Sequence, residues 1–178
     1  MQTVSLPIAS NAKRIGSFVI DDIVVNLFLL IIFSSQIAEL MQQMTPISET
    51  MVDLMNQYNA GKLSLTEYNS GVQEQSSILY GMMSQFIMSN IGVILAVKVL
   101  YHTVLIWQSG MTLGKYIVRI KAVDMQSGQR LSFVQAFWRA SVRLVSEMLF
   151  YVGFLFAFFS PLHQTLHDKI SNSVVIDV

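Results

Sequence analysis

Residues 15–38 (IGSFVIDDIVVNLFLLIIFSSQIA) form a run long and apolar enough to cross a bilayer, yet it carries two adjacent carboxylates, Asp21 and Asp22. About 20 apolar residues in a helix span the hydrocarbon core, where backbone groups must be satisfied internally, so this run commits the chain to a membrane helix. A charged side chain near the bilayer centre costs about 2.5–3.5 kcal/mol on insertion scales. The doublet therefore requires partners or water, and it is the first candidate functional site.

The rest of the composition agrees: of 178 residues 53% are hydrophobic and only 12% charged, too apolar for an ordinary soluble domain. With no cysteine, disulfides, thiolate catalysis and Cys-ligated metals are excluded. No basic patch interleaved with aromatics suggests a nucleic-acid partner. The opening segment MQTVSLPIASNAKRIG precedes an apolar run that is too long for a leader, contains two acids and lacks an A-x-A cleavage site, so it reads as a retained helix.

Two further apolar runs lie at about 86–107 and 142–160, each with ionisable residues: Lys98 and His102 in the second, Arg143 and Glu147 in the third. Between the first two, residues 39–85 carry Glu39, Glu49, Asp53, Glu67 and Glu74 against Lys62, whereas residues 108–141 carry Lys115, Arg119, Lys121, Arg130 and Arg139 against Asp124. The positive-inside rule puts 108–141 in the cytoplasm, and Lys13 with Arg14 put the N-terminus there as well. The acidic insertion 39–85 then faces outward.

That insertion reads as a helical hairpin, with Ser48 capping one helix, a Gly turn at 59–62 (NAGK), and Ser64 or Thr66 capping a second helix that runs into the next span. Its methionines suit apolar helix faces better than a copper site. In the inner loop IVRIKAV alternates at strand period, and Ser132 opens an amphipathic interfacial helix, FVQAFWRASVRLV. The tail SVVIDV has strand character and would pair with VRIKAV only on the same side of the membrane. Either the third run turns back near Gly153 as a re-entrant hairpin, or the tail lies outside.

At about 1.5 Å per residue from the inner ends, Asp21 and Asp22 lie roughly 10 Å deep, Lys98 roughly 13 Å and His102 roughly 7 Å. These groups share one layer, with Glu147 in the same half of the membrane. Lys98 is the expected partner of one aspartate, Asn26 shares a helix face with Asp22, and Arg14, two turns below Asp21, either reaches it or snorkels to the headgroups. His102, His163, His167 and Asp168 lack the spacing of a metal motif. His167 and Asp168, placed near the surface, have no nucleophile beside them and do not face each other. No metal, cofactor or enzymatic activity is expected.

Four segments in order, AKRIGSFVIDD, GMTLGKYIVRIKAVDMQSG, AFWRASVR and QTLHDKISNSVVI, together resemble the RDD family of bacterial membrane proteins. The matching residues are Arg14, Asp21 and Asp22; Gly110, Thr112, Gly114 and Lys115; Arg139; and His167 with Asp168. The resemblance covers most of the chain apart from about 40–85. It departs in lacking the basic residues that precede the family's Leu-His-Asp, where this chain has Pro161, Leu162, His163 and Gln164. It implies a multi-pass protein of the bacterial cell (inner) membrane, in a family some of whose members are associated with cation/proton exchange.

The expected architecture is thus one all-α membrane domain over 1–178 with three hydrophobic spans, an outer helical hairpin and a small inner strand and interfacial-helix element. Two functions fit it. One is proton-coupled monovalent cation transport by a homo-oligomer in membrane lipid, through Asp21, Asp22, Lys98 and His102 with Arg14 as gate or anchor. The other is a membrane accessory or scaffold protein that binds a protein partner, its charged layer serving helix packing.

Overall fold

A computed structural model describes residues 7–178, so the first six residues of the segment weighed above as a leader lie outside the described residues. Seven helices and two strands follow in the order α1 (Asn11–Ile32), α2 (Ser34–Asn59), α3 (Leu65–Ser109), α4 (Leu113–Ile117), β1 (Ile120–Asp124), α5 (Phe133–Met148), α6 (Val152–Phe159), α7 (Leu166–Ile170) and β2 (Ser173–Asp177). Two helices, α1 and α3, are long and apolar enough to cross a membrane; α5 and α6 pass the same test only as a pair. The chain divides into two compact units, one of the residues up to Leu29 with Val93–Val178, the other Leu30–Gly92.

In the larger unit the ends of the chain meet. β1 and β2 pair antiparallel with Ile120 opposite Asp177 and Asp124 opposite Ser173, and Ile8 adds a bridge to Ile176. Strand alternation of apolar residues drives this pairing, which buries Ile120, Ala122 and Val175 against Ala9, Ile106, Leu131 and Ala136. Gly110, at φ +75°, turns the chain out of α3; a Cβ there would come within 2.7 Å of the Ala122 carbonyl oxygen. The tail strand anticipated at 173–178 is therefore the partner of the inner-loop strand.

The apolar run at 142–160 is not one straight helix, contrary to a simple third crossing. α5, opened by a capping box between Ser132 and Gln135, ends at Met148, and α6 leaves it at 108°. Phe150 and Tyr151 both take positive φ to make the bend. Gly153 allows it to close, because a Cβ there would fall on the Ser146 hydroxyl.

The smaller unit is a hairpin of α2 and the first part of α3. The turn falls at the anticipated glycine, Gly61 at φ +69°. Ser64 accepts from the Glu67 N–H while Glu67 accepts from Ser64, a reciprocal cap that opens α3. One expectation is corrected here, and the continuity of the hairpin with the next span is as expected. Ser48 starts no helix; it lies inside α2, where its hydroxyl donates to the Thr45 carbonyl, because Pro46 is tolerated without ending the helix. The hairpin's second helix and the second span are one helix of 45 residues, more than twice the length a crossing needs.

Candidate functional site

The aspartate doublet divides between two sets of partners. Asp21 is fully buried. Its Oδ2 accepts from the Thr112 hydroxyl at 2.5 Å, and its Oδ1 accepts from the Gly114 N–H at 2.8 Å and the Tyr101 hydroxyl at 2.9 Å. Thr112 also caps α4, accepting from the Lys115 N–H. The glycine is required by distance: a Cβ on Gly114 would fall on the Ser17 carbonyl oxygen and lie 2.9 Å from the Asp21 Cγ. The inner-loop motif is thus a cradle for Asp21, offsetting the several kcal/mol that burying a carboxylate costs. Next to it, burial lowers the Lys115 ammonium to about 7; the Asp21 charge pulls the other way, while Arg143 and Arg139 reinforce the fall.

Asp22, one position on, points elsewhere and leaves 38% of its side chain exposed. Its Oδ2 accepts from the Asn26 amide at 3.0 Å, and its Oδ1 lies 3.7 Å from Lys98 Nζ. The expected pair of Lys98 with one aspartate is thus present, but Lys98 donates more closely to Glu147 Oε2, at 2.9 Å, so Glu147 is its nearer partner. Glu147 Oε1 in turn accepts from Arg143 Nε at 3.0 Å, and Arg143 Nη1 lies 3.2 Å from His102 Nδ1. A guanidinium only donates, so His102 Nδ1 is the acceptor and its proton sits on Nε2. The result is a continuous line, Asn26–Asp22–Lys98–Glu147–Arg143–His102.

A second cluster centres on Asp168, fully buried in α7. Arg14 Nη1 donates to Asp168 Oδ2 at 2.7 Å, and Arg139 Nη1 lies 2.5 Å from Oδ1. Burial alone would raise the Asp168 carboxyl, but Arg139 and Arg14, with the Thr165 N–H, outweigh it and hold it well below the usual carboxylate range. Thr165 and Asp168 cap α7 reciprocally, and Arg139 donates to the Ser173 hydroxyl. Two expectations fall here. Arg14 neither reaches Asp21 nor snorkels; its guanidinium is held by Asp168 and the carbonyls of Ala9 and Val175. His167 is not near the surface but buried, with Nε2 3.8 Å from Asp168 Oδ1, and burial keeps its imidazole well below the ordinary value and neutral.

Among the anticipated residues, Asp22, Lys98, Glu147 and His102 thus belong to one chain of contacts, Asp21 with Thr112 and Gly114 to a second, and Arg14, Arg139 and Asp168 to a third. Tyr101 and Thr165 are functional neighbours that the sequence reading does not single out. Tyr101 carried a usable signal, a hydroxyl within an apolar helix facing the layer that holds the aspartates; Thr165 carried another, the T-x-x-D spacing of a capping box.

The RDD family model matches residues 8–172. Among curated proteins, the "Proline-rich antigen homolog" of Mycobacterium tuberculosis is 28% identical over 131 residues, which is 72% of this chain and 53% of that protein. The "Proline-rich antigen" of Mycobacterium leprae is 29% identical over 70 residues, 39% of this chain and 28% of that protein. The chain thus spans about half the length, or less, of these relatives. No solved structure matches it. The match over nearly the whole chain, together with helices apolar enough to cross a bilayer, establishes that this chain is a membrane protein belonging to the RDD family.

Proposed function

We propose that the protein exchanges protons for a monovalent cation across a bacterial cell membrane as a homo-oligomer, with Asp22 as the exchanging carboxylate. The observation that carries this reading is the position of Lys98 between two acids, 2.9 Å from Glu147 and 3.7 Å from Asp22. When Asp22 takes a proton or a cation, Lys98 keeps its countercharge on Glu147; when Asp22 is released, Lys98 neutralises it. Asp21, whose oxygens already accept three hydrogen bonds, holds the α4 segment in place and does not exchange. The exposed flank of Asp22, on an apolar helix, is covered by a second copy of the chain or opens to water, since bare lipid is a costly surrounding for a carboxylate.

In this reading the N-terminus is cytoplasmic, α1 and the apolar part of α3 cross the bilayer, and the α5–α6 pair enters and returns on the cytoplasmic side. The bend and the β1–β2 pairing support that topology, because both strands must then share one side. The second reading is a non-transporting accessory protein with a protein partner. It is favoured by the Arg14–Asp168–Arg139 cluster, whose buried carboxylate already has a cation on each oxygen and serves packing.

Dissipation of a pH gradient in proteoliposomes on adding Na⁺, K⁺ or Li⁺ separates the two. Cation-dependent flux is expected in the wild type, lost in Asp22→Asn protein that inserts and folds normally and retained in part by folded Asp21→Asn. No flux from well-reconstituted wild type would replace transport by the accessory role.

A further inference from the structure

A cavity of about 200 Å³ opens beside the Asp168 cluster, with two chemically different walls. One wall is cationic: Arg14 of α1, Lys115 of α4, and Arg139 and Arg143 of α5. The other is aromatic, formed by Phe18 with Tyr151, Phe154 and Phe158 from the bend and α6. Phe158 and its neighbour Phe159 are 60% and 87% exposed, so the short helix that closes the cavity also presents a large apolar face outward.

The charges around the cavity do not cancel. Its lining holds the cations Arg14, Lys115, Arg139 and Arg143 and no carboxylate. Arg14, Arg139 and Arg143 each have a carboxylate within 4 Å, but among the described residues Lys115 Nζ has neither an ion pair nor a hydrogen bond, although Lys115 is only 8% exposed. Two polar atoms of lining residues, Asn11 Oδ1 and His167 Nδ1, are also buried without a partner; the first only accepts and offers no contact to an anion. Buried cations are ordinarily paired, and one without a counter-charge on a cavity lined by three more cations indicates a missing occupant. A wall of basic side chains with no acid among the lining residues makes that occupant an anion.

We infer that this cavity binds the phosphate of an anionic phospholipid, with the headgroup against Lys115, Arg139 and Arg143 and the acyl chains leaving along the aromatic wall of α6. Phosphate satisfies several N–H donors at once, and basic pockets beside membrane helices hold lipid headgroups in this manner. Free inorganic phosphate shares the headgroup chemistry but has no use for Phe154 and Phe158. The inference is independent of ion exchange, since it uses neither Asp22 nor Lys98.

Native mass spectrometry of delipidated protein tests it with phosphatidylglycerol, phosphatidylcholine and inorganic phosphate as separate probes. Saturable binding of one phosphatidylglycerol per chain is expected, at least about tenfold tighter than phosphatidylcholine and weakened about tenfold by Lys115→Gln, the loss of one charge-assisted contact. Ala157→Leu, which fills the cavity without altering a charge, provides the second variant should Lys115→Gln fail to fold; it also weakens binding. Equal binding of phosphatidylcholine, or phosphatidylglycerol binding unchanged in a folded variant, would overturn the site. Inorganic phosphate competing as well as the lipid would overturn the lipid assignment and leave a free-phosphate site.

Discussion

Arg14 and Asp168 lie 154 positions apart in sequence and 2.7 Å apart in space, so the first helix and the last are joined by one buried ion pair. Arg139 adds a second cation on the other oxygen of the same carboxylate. Removing Asp168 leaves two guanidiniums facing each other in a buried site, whereas removing Arg14 leaves the carboxylate with Arg139. Asp168→Asn is therefore expected to destabilise by about 3–5 kcal/mol, and Arg14→Gln by less. Denaturation in mild detergent measures both, and equal effects would refute the shared role of the two arginines.

The same carboxylate sets a dependence on pH. Its folded value lies below its unfolded value near 3.9, so its stabilisation is complete above that pH and is lost only as pH falls below it toward the folded value. Lys115 acts at the other end. Burial depresses its folded value to about 7, so between about 7 and about 10.4 the unfolded chain binds the extra proton and stability rises with pH. Thermal unfolding of lipid-free protein from pH 6 to 10 is expected to show this rise in the wild type and its loss in Lys115→Met.

Gly114→Ala places a methyl group on the Ser17 carbonyl oxygen and against Asp21, so α4 must shift away from α1. The expected cost is about 1–3 kcal/mol. Gly81→Ala is the contrasting control, in open space inside α3, and is expected to gain about 0.5–1 kcal/mol from helix propensity. A neutral Gly114→Ala would mean the cradle around Asp21 is looser than its distances.

At the hairpin turn, Ser64→Ala removes one half of the reciprocal cap with Glu67. Hydrogen exchange of the first-turn amides of α3 is expected to quicken roughly fivefold. The Ser64 hydroxyl and amide hold the Glu67 carboxyl below its ordinary value, so the cap weakens as pH falls through the carboxylate range. Unchanged exchange would place the start of α3 under some other control.

Local chemistry determined much of what was legible in advance. Hydrophobic runs specified the membrane helices, the NAGK glycine the hairpin turn, and Ser132 and Ser64 two helix starts, because each depends on residues within one or two turns. Of the IVRIKAV alternation only the part from Ile120 is strand, since Ile117 closes α4 and Arg119 turns the chain at positive φ. The need for partners around Asp21 and Asp22 was equally plain, since a carboxylate in an apolar helix has a cost wherever the rest of the chain goes. Which partners they take was decided only in three dimensions. Asp21 turns to Tyr101, Thr112 and Gly114, Lys98 prefers Glu147, and Arg14 crosses to Asp168, because pairing depends on helix rotation and on which strand ends meet. The bend at Phe150 and Tyr151 belongs to the same class: hydropathy records that residues 142–160 are apolar, whereas the 108° turn follows from Ser146 packing against Gly153 and from β2 returning to β1.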